Sequence, residues 1–206
     1  MEKKKILCLH GFGKRRGRQF EVLREAFGDC FEILSPDYYE LNKEDASCER
    51  WLNNVKEILE EYKEERPVVI GFSMGALMAS HFSREYGFEK MIFLSPGLDD
   101  QKFLEIKRSN PDPAVPDEYI DVFPEVLKRC LPDVEKIDCP VTFVAAKGDE
   151  LIPYEFSVKY YEKIDNPDKK LYLLEGGSHT ILDDPGTKEK VLEILTEELQ
   201  PYRMEA

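Results

Sequence analysis

The sequence predicts an α/β protein with a parallel β-sheet that is covered by helices on both faces. Six short apolar runs alternate along the chain with segments whose apolar residues recur at helical spacing. Strands separated by helices in this way pair in parallel, and the connecting helices cover the sheet. A glycine-containing pentapeptide, residues 71–75, lies where the third apolar run meets a helical segment. The alternation of apolar runs with helical segments and the position of the pentapeptide are the observations that support this prediction.

The apolar runs place the strands at residues 6–10, 31–34, 68–70, 91–94, 141–146 and 171–174. The clearest helical pattern covers residues 47–65, where Trp51, Val55 and Leu59 share one face and Glu and Lys residues lie opposite. Further helices are predicted after residue 18, over 74–86 and over 154–164. A last helix is predicted directly after Asp184-Pro185, with the carboxylate as cap and the proline at the first helical position.

The segment 98–138 differs from the regular alternation around it. It consists of short apolar and charged pieces, and we interpret it as an inserted, mostly helical lid, too small to be an independent domain. Prolines interrupt these pieces at Pro111, Pro113, Pro116, Pro124 and Pro132. Residues 1–206 are therefore predicted to form one domain with a lid.

Composition excludes several classes of partner. The chain has 206 residues, and 29 Lys and Arg against 42 Asp and Glu give a net charge of −13, which would repel nucleic acid.

Five cysteines, an odd number without paired or metal-type spacing, indicate reduced thiols and a cytoplasmic protein. The apolar run after the N-terminal lysines ends after four residues, too short for export, and no stretch is long enough to span a membrane.

The pentapeptide Gly71-Phe72-Ser73-Met74-Gly75 indicates a nucleophile. A serine in a tight strand-to-helix turn has a strained backbone, and the glycines on either side keep the neighbouring chain from clashing with it. The turn lifts the Ser73 hydroxyl out of the sheet and places it at the positive end of the next helix.

A serine nucleophile needs a base, and the chain has three histidines. His179 follows the last strand in a glycine loop, at the carboxyl end of the sheet, where catalytic groups gather in parallel sheets. We therefore predict His179 as the base. His10 is interpreted as a residue that shapes the loop after the first strand. His81 lies about two helical turns beyond Ser73, points away from the site and is given a structural or surface role.

The acid that holds the base is predicted to be Asp149, which follows the strand 141–146 and lies within reach of His179. The order Ser73, Asp149, His179 is the one expected when a nucleophile elbow comes first. Glu150 is a neighbouring alternative. Asp99 and Asp100, after the fourth strand, are the more serious rivals.

These motifs resemble those of the alpha/beta hydrolase superfamily, specifically its small, carboxylesterase-like serine hydrolases. Four segments over residues 5–200 match the superfamily's oxyanion loop, nucleophile elbow, acid loop and histidine loop, namely His10-Gly11-Phe12-Gly13, residues 71–75, residues 148–153 and Gly177-Ser178-His179. The superfamily's first two strands are missing, so the resemblance implies six parallel strands. It also implies acyl transfer through an acyl-enzyme on Ser73, with oxyanion donors in the backbone N–H groups of Phe12 and Met74, and without metal or organic cofactor.

The function predicted is hydrolysis of carboxylic esters with small to medium acyl chains by a monomer or small homo-oligomer. A thioesterase is the nearest alternative, favoured if the basic cluster at residues 14–18 binds phosphates. A carbon–carbon bond hydrolase, an acyltransferase and a non-catalytic ligand-binding scaffold also remain open. Substrate contacts are assigned to Leu98, Phe123 and Ile152, and further lid side chains offer an apolar acyl pocket, Phe103, Tyr119 and Leu127.

Overall fold

The structure is a computed structural model, and it describes residues 3–13, 16–40, 45–112 and 115–203. Within these ranges six strands form one sheet in the order β2-β1-β3-β4-β5-β6, and every neighbouring pair is parallel. The strands are β1 (Lys4–Leu9), β2 (Phe31–Leu34), β3 (Val68–Phe72), β4 (Lys90–Leu94), β5 (Val141–Ala146) and β6 (Lys169–Leu174). The predicted parallel sheet of six strands is confirmed.

Helices cover both faces of the sheet, as the sequence predicted. They are α1 (Glu21–Phe27), α2 (Cys48–Tyr62), α3 (Met74–Tyr86), α4 (Gln101–Ser109), α5 (Asp117–Val134), α6 (Tyr154–Lys163) and α7 (Lys188–Leu199). Successive side chains of a strand point to opposite faces. In β1, Leu7 and Leu9 pack with α2, α3 and α5, whereas Ile6 and Cys8 pack with α1 and α7. Each face of the sheet therefore has its own apolar core.

The last helix begins later than predicted, at Lys188. The Asp184 carboxylate instead accepts hydrogen bonds from the backbone N–H groups of Ser178 and Gly186, both at 2.8 Å. These bonds lower the pKa of Asp184. The carboxylate thus closes a turn after the His179 loop, and the prediction that it caps the helix was wrong because Asp also stabilises turns through its own side chain.

The segment 98–138 forms two helices, α4 and α5. The prediction that prolines interrupt it was wrong at two positions, since Pro124 and Pro132 lie inside α5. A proline inside a helix removes one hydrogen bond, and the burial of Phe123 and Val126 on the same helix offsets that loss. Because α5 packs against α2 and α3 and connects β4 to β5, it also serves as a crossover helix of the sheet. That the segment acts as a lid stays a prediction.

The cytoplasmic location was predicted from unpaired cysteines and from the lack of a stretch long enough to span a membrane. All five cysteines are free, and four of them are buried. Burial raises the pKa of Cys8 and Cys130, and that of Cys139 to about 12, so these side chains stay protonated and are poor nucleophiles. Across the described ranges, no helix combines the length and the apolar character needed to cross a bilayer.

Candidate active site

Ser73 occupies the turn between β3 and α3 with a strained backbone. Its φ of 51° lies in the left-handed region that non-glycine residues rarely adopt. The turn is held by the Ser73 N–H, which donates to Leu94 O at 3.0 Å, and by the Gly97 N–H, which donates to Ser73 O at 3.0 Å. The neighbouring end of β4 thus fixes the serine in the predicted elbow geometry.

The glycines of the pentapeptide allow two backbones to approach closely. A Cβ on Gly75 would lie 2.0 Å from Leu9 O, and one on Gly71 would lie 2.5 Å from the Ala76 Cα. Distances this short are incompatible with any side chain. The first turn of α3 can therefore pack directly on the end of β1, which brings Ser73 beside the loop that follows β1.

The structure brings the three predicted side chains, Ser73, Asp149 and His179, into one chain of hydrogen bonds. The His179 Nε2 lies 3.0 Å from Ser73 Oγ, and the His179 Nδ1 lies 2.8 Å from Asp149 Oδ2. All three residues are buried. The second carboxylate oxygen of Asp149 accepts from the backbone N–H groups of Leu151 and Ile152, at 2.9 and 2.8 Å, which holds the carboxylate against the imidazole.

The loops that carry Asp149 and His179 are bonded to each other beyond the sheet. The Lys147 N–H donates to Leu174 O at 2.9 Å, and the Gly148 N–H donates to Gly176 O at 3.1 Å. Gly176 and Gly177 have φ angles of 71° and 77°, which let the chain turn so that the imidazole faces Ser73. The loops after β5 and β6 therefore form one unit.

None of the three rival acids of the sequence analysis contacts the His179 imidazole. The Glu150 Oε2 accepts from the backbone N–H of His179 at 3.2 Å, so it contacts the main chain of that residue. The Asp99 carboxylate accepts from the Gln101 N–H at 3.2 Å, at the start of α4. Asp100 is the N-cap residue of α4 and its side chain makes no capping hydrogen bond. Among the four candidate carboxylates, Asp149 is the one against the imidazole.

The other two histidines lie apart from this chain of hydrogen bonds. His81 Nδ1 lies 2.7 Å from Asp133 Oδ2, so the side chain links α3 to α5. His10 is fully buried, its Nδ1 lies 2.9 Å from Gly11 O, and its ring stacks on Tyr38 with 4.1 Å between the centroids. These contacts agree with the structural roles that the sequence analysis gave both residues.

The predicted oxyanion donors flank Ser73. Met74 begins α3, and the amides of the first helical turn have no partner inside the helix. Gly11 lies against the serine, since a Cβ on it would come within 3.0 Å of the Ser73 Cβ, and Phe12 follows immediately. In the described part of the chain neither the Phe12 nor the Met74 amide donates a hydrogen bond. Both amides therefore keep their N–H groups without a hydrogen-bond acceptor among the described residues.

A cavity of about 170 Å³ lies beside Phe12, with mostly apolar walls and two charged side chains. It is lined by Phe12, Gly13, Lys107, Asp112, Val115 and Ile120. The predicted substrate residues Leu98, Phe123 and Ile152 are buried and do not line this cavity, and their role stays a prediction. Of the basic cluster, residues 14 and 15 lie outside the described residues and Arg18 is exposed.

Sequence reasoning missed Tyr39, which holds the loop after β1. Its hydroxyl lies within hydrogen-bond distance of backbone groups of Gly11 and Gly13. A signal was present, because β1 and β2 lie side by side in a parallel sheet, so residues just beyond β2 lie near residues just beyond β1. Tyr39 belongs to no motif of its own, so only the pairing of β1 with β2 points to it.

The site can support nucleophilic chemistry. A buried serine whose hydroxyl faces an imidazole, itself held by a carboxylate, is the arrangement that activates an alcohol as a nucleophile. Two free amides beside the serine can stabilise an oxyanion. The carboxyl edge of the sheet, where these groups meet, is therefore the candidate active site.

A family model matches part of the chain. Residues 112–186, which include Asp149 and His179, match the family model described as serine aminopeptidase, S33. No curated protein sequence matches the chain.

Similar solved structures cover nearly the whole chain. One of the metagenome-derived lipolytic enzymes described as LipS and LipT superposes with a TM-score of 0.81 at 18% identity, over 97% of this chain and 94% of that one. A monoacylglycerol lipase of Paleococcus ferrophilus gives 0.75 at 20% identity, over 98% and 96%. Est1E from Butyrivibrio proteoclasticus gives 0.72 at 23% identity, over 98% and 88%. The chain has the alpha/beta hydrolase fold, in a form with six parallel strands.

Proposed function

We propose that the protein is a serine hydrolase that cleaves carboxylic esters of small to medium acyl chains through an acyl-enzyme on Ser73. The observation that carries this proposal is the continuous chain of hydrogen bonds from Ser73 Oγ through the His179 imidazole to Asp149. Its members come from three separate strand ends, so their alignment depends on the whole sheet. Such convergence at the carboxyl edge of a parallel sheet is typical of active sites.

In the proposed mechanism, Ser73 Oγ attacks the ester carbonyl carbon while His179 Nε2 takes the hydroxyl proton. The Asp149 carboxylate accepts from Nδ1–H and stabilises the imidazolium that forms. The amides of Phe12 and Met74 donate to the oxyanion, each worth about 3 kcal/mol in the transition state. The imidazolium then protonates the leaving alkoxide, and water repeats the cycle on the acyl-enzyme.

The preference for esters is supported by similar structures that are named as a lipase, lipolytic enzymes and esterases. The size of the acyl group is supported by the cavity beside Phe12, whose volume of about 170 Å³ lies below that of typical drug-sized ligand pockets. Its apolar walls at Phe12, Val115 and Ile120 suit a short aliphatic chain.

The test is labelling of the intact protein with a fluorophosphonate, mapped by mass spectrometry, followed by turnover of p-nitrophenyl esters of increasing chain length. We expect one adduct, on Ser73, and an optimum at short or medium chains. An acyl-CoA thioester of the same acyl group, measured beside the best ester, decides between the esterase and the thioesterase.

Ser73→Ala should abolish labelling and lower turnover by several orders of magnitude. Ser80→Ala is the matched control, because Ser80 is a buried serine of the same helix whose hydroxyl donates to Leu77 O at 2.8 Å. A folded wild-type protein with neither adduct nor turnover would overturn the proposal and favour a ligand-binding scaffold.

A further inference from the structure

The peptide unit that joins Gly11 to Phe12 is held by two side chains. Its carbonyl oxygen, Gly11 O, lies 2.9 Å from His10 Nδ1 and 3.2 Å from the Tyr39 hydroxyl. Nδ1 can contact a carbonyl favourably only when it carries the proton, so His10 donates here. The His10 N–H and the Tyr39 hydroxyl, whose proton is shared with Gly13 O, therefore both lie within hydrogen-bond distance of this carbonyl.

The same peptide unit carries the Phe12 N–H on its opposite edge. A trans peptide is planar, and its C=O and N–H point in opposite directions. No cis peptide bond occurs in the described residues. Fixing the direction of Gly11 O therefore fixes the direction of the Phe12 N–H. Hydrogen bonds to a carbonyl also polarise its amide, which strengthens the N–H as a donor.

The Tyr39 hydroxyl is itself firmly placed. It accepts from the Gly13 N–H at 2.8 Å, and its single proton faces Gly13 O at 3.0 Å and Gly11 O at 3.2 Å. The Tyr39 ring stacks on Trp51 with 4.4 Å between the centroids, and the residue is 2% exposed. The Tyr39 hydroxyl therefore contacts the residue before Phe12 and the residue after it. The stacking of Tyr39 on Trp51 holds the hydroxyl in this position.

We propose that Tyr39 is a positioning residue for the oxyanion hole, aligning the Phe12 N–H with the oxyanion that forms on the substrate. The inference rests on the proposed function, since it gives Phe12 the role of oxyanion donor. Tyr39 does not touch the substrate in this account. It acts through the Gly11–Phe12 peptide.

A merely structural role for Tyr39 has a different signature. Loss of loop stability alone would lower the melting temperature and leave the turnover of the folded protein unchanged. Misalignment of the Phe12 N–H weakens binding of the transition state and leaves ground-state binding of the ester nearly intact, so kcat falls while KM stays nearly constant.

The experiment is Tyr39→Phe, which keeps the ring that stacks on Trp51 and removes the hydroxyl. We expect kcat for the best p-nitrophenyl ester to fall about 10- to 100-fold with KM within about twofold of wild type, less than the full loss of an oxyanion donor. Inhibition by a trifluoromethyl ketone, whose hemiketal adduct with Ser73 carries an oxyanion, should weaken in proportion to kcat/KM.

Tyr86→Phe is the matched control. Tyr86 is also buried, its hydroxyl donates to Glu60 Oε1 at 2.7 Å, and it lies at the far end of α3, about 20 Å along the helix from Ser73. This substitution should leave kcat and KM unchanged. If Tyr39→Phe does not fold, His10→Leu removes the other donor to Gly11 O, and the same fall in kcat at constant KM is expected.

The outcomes separate this inference from the proposed function. If wild type is active, Ser73→Ala is inactive and Tyr39→Phe turns over like wild type, the positioning role is overturned and the esterase stands. A fall in kcat without weaker ketone inhibition also overturns it. If wild type has no activity, both proposals fall together, because Phe12 then has no oxyanion to bind.

Discussion

Glu198 and Lys90 form an ion pair that is almost completely shielded from solvent, with 2.8 Å between Oε2 and Nζ. Glu198 lies near the end of α7, and Lys90 begins β4. The same carboxylate accepts from Thr142 Oγ1 at 2.8 Å, from Lys170 Nζ at 2.7 Å and from the Tyr172 hydroxyl at 2.9 Å. One carboxylate therefore ties α7 to three adjacent strands at the amino end of the sheet, opposite the candidate active site.

This network makes stability depend on acid pH. Burial acts to raise the pKa of Glu198, but hydrogen bonds from Lys170, Lys90, Thr142 and Tyr172 outweigh it and lower the pKa from 4.5 to about 2. A carboxyl group whose folded pKa is depressed stabilises the fold above its unfolded pKa, and this stabilisation is lost as pH falls toward the folded pKa. The free energy of unfolding should therefore decrease between pH 4.5 and about 2.

Glu198→Gln should lower the free energy of unfolding by about 3 kcal/mol at pH 7, because Lys90 stays buried without its counter-charge while Lys170 can turn to solvent. Urea unfolding at several pH values measures this, and the variant should show a weaker dependence on acid pH. Glu197→Gln, at the exposed neighbouring position, is the control. Equal stability of Glu198→Gln and wild type at pH 7 would contradict the prediction.

Asp149→Asn should lower kcat/KM for esters by about 10⁴-fold. An amide at this position can no longer stabilise the imidazolium and favours the wrong tautomer of His179. Asp99→Asn and Asp100→Asn are the controls, and each should stay within about threefold of wild type because neither carboxylate contacts His179. Steady-state kinetics with one ester suffices. The opposite ranking would move the acid to the loop after β4.

Glu150→Gln should lower kcat by about tenfold or less, because Glu150 contacts the His179 backbone N–H and leaves the imidazole to Asp149. Glu155→Gln, an exposed position on the following helix, removes the same charge elsewhere and should have no effect. A loss for Glu150→Gln as large as that for Asp149→Asn would identify Glu150 as the acid.

Two glycines at the ends of α3 should differ in their tolerance of alanine. Gly75→Ala places a methyl group 2.0 Å from Leu9 O and should destabilise the fold by about 3 kcal/mol or more. In Gly87→Ala the added methyl group has no atom within 4 Å. The only cost is the left-handed backbone at φ 57°, which is about 1 kcal/mol for a residue with a Cβ. Thermal unfolding of both variants tests the order. Equal destabilisation would show that the contact at Leu9 relaxes freely.

The sequence predicted the strands and the convergence of the three strand-end residues of the candidate site, but it did not predict the course of α5 or the contacts of Tyr39. β2 and β5 begin and end where the apolar runs do, and the strand-end motifs at Ser73, Asp149 and His179 converge because a parallel sheet gathers its carboxyl ends. The prediction that prolines interrupt the helices of the segment 98–138 was wrong for α5. The free energy gained by burying the apolar face of α5 is a tertiary effect, and a local sequence pattern does not contain it. Tyr39 was missed because its contacts depend on neighbouring strands that are distant in the chain.

The bonds between the loops after β5 and β6 bear on how the site can open. These bonds join the loop of Asp149 to the loop of His179, whereas Ser73 belongs to the corner between β3 and α3. We therefore expect a displacement of these loops to lengthen the distance from Ser73 Oγ to His179 Nε2 before it separates His179 from Asp149. After such a displacement Asp149 would still orient the imidazole, so re-forming the one contact between Ser73 and His179 would restore the whole arrangement.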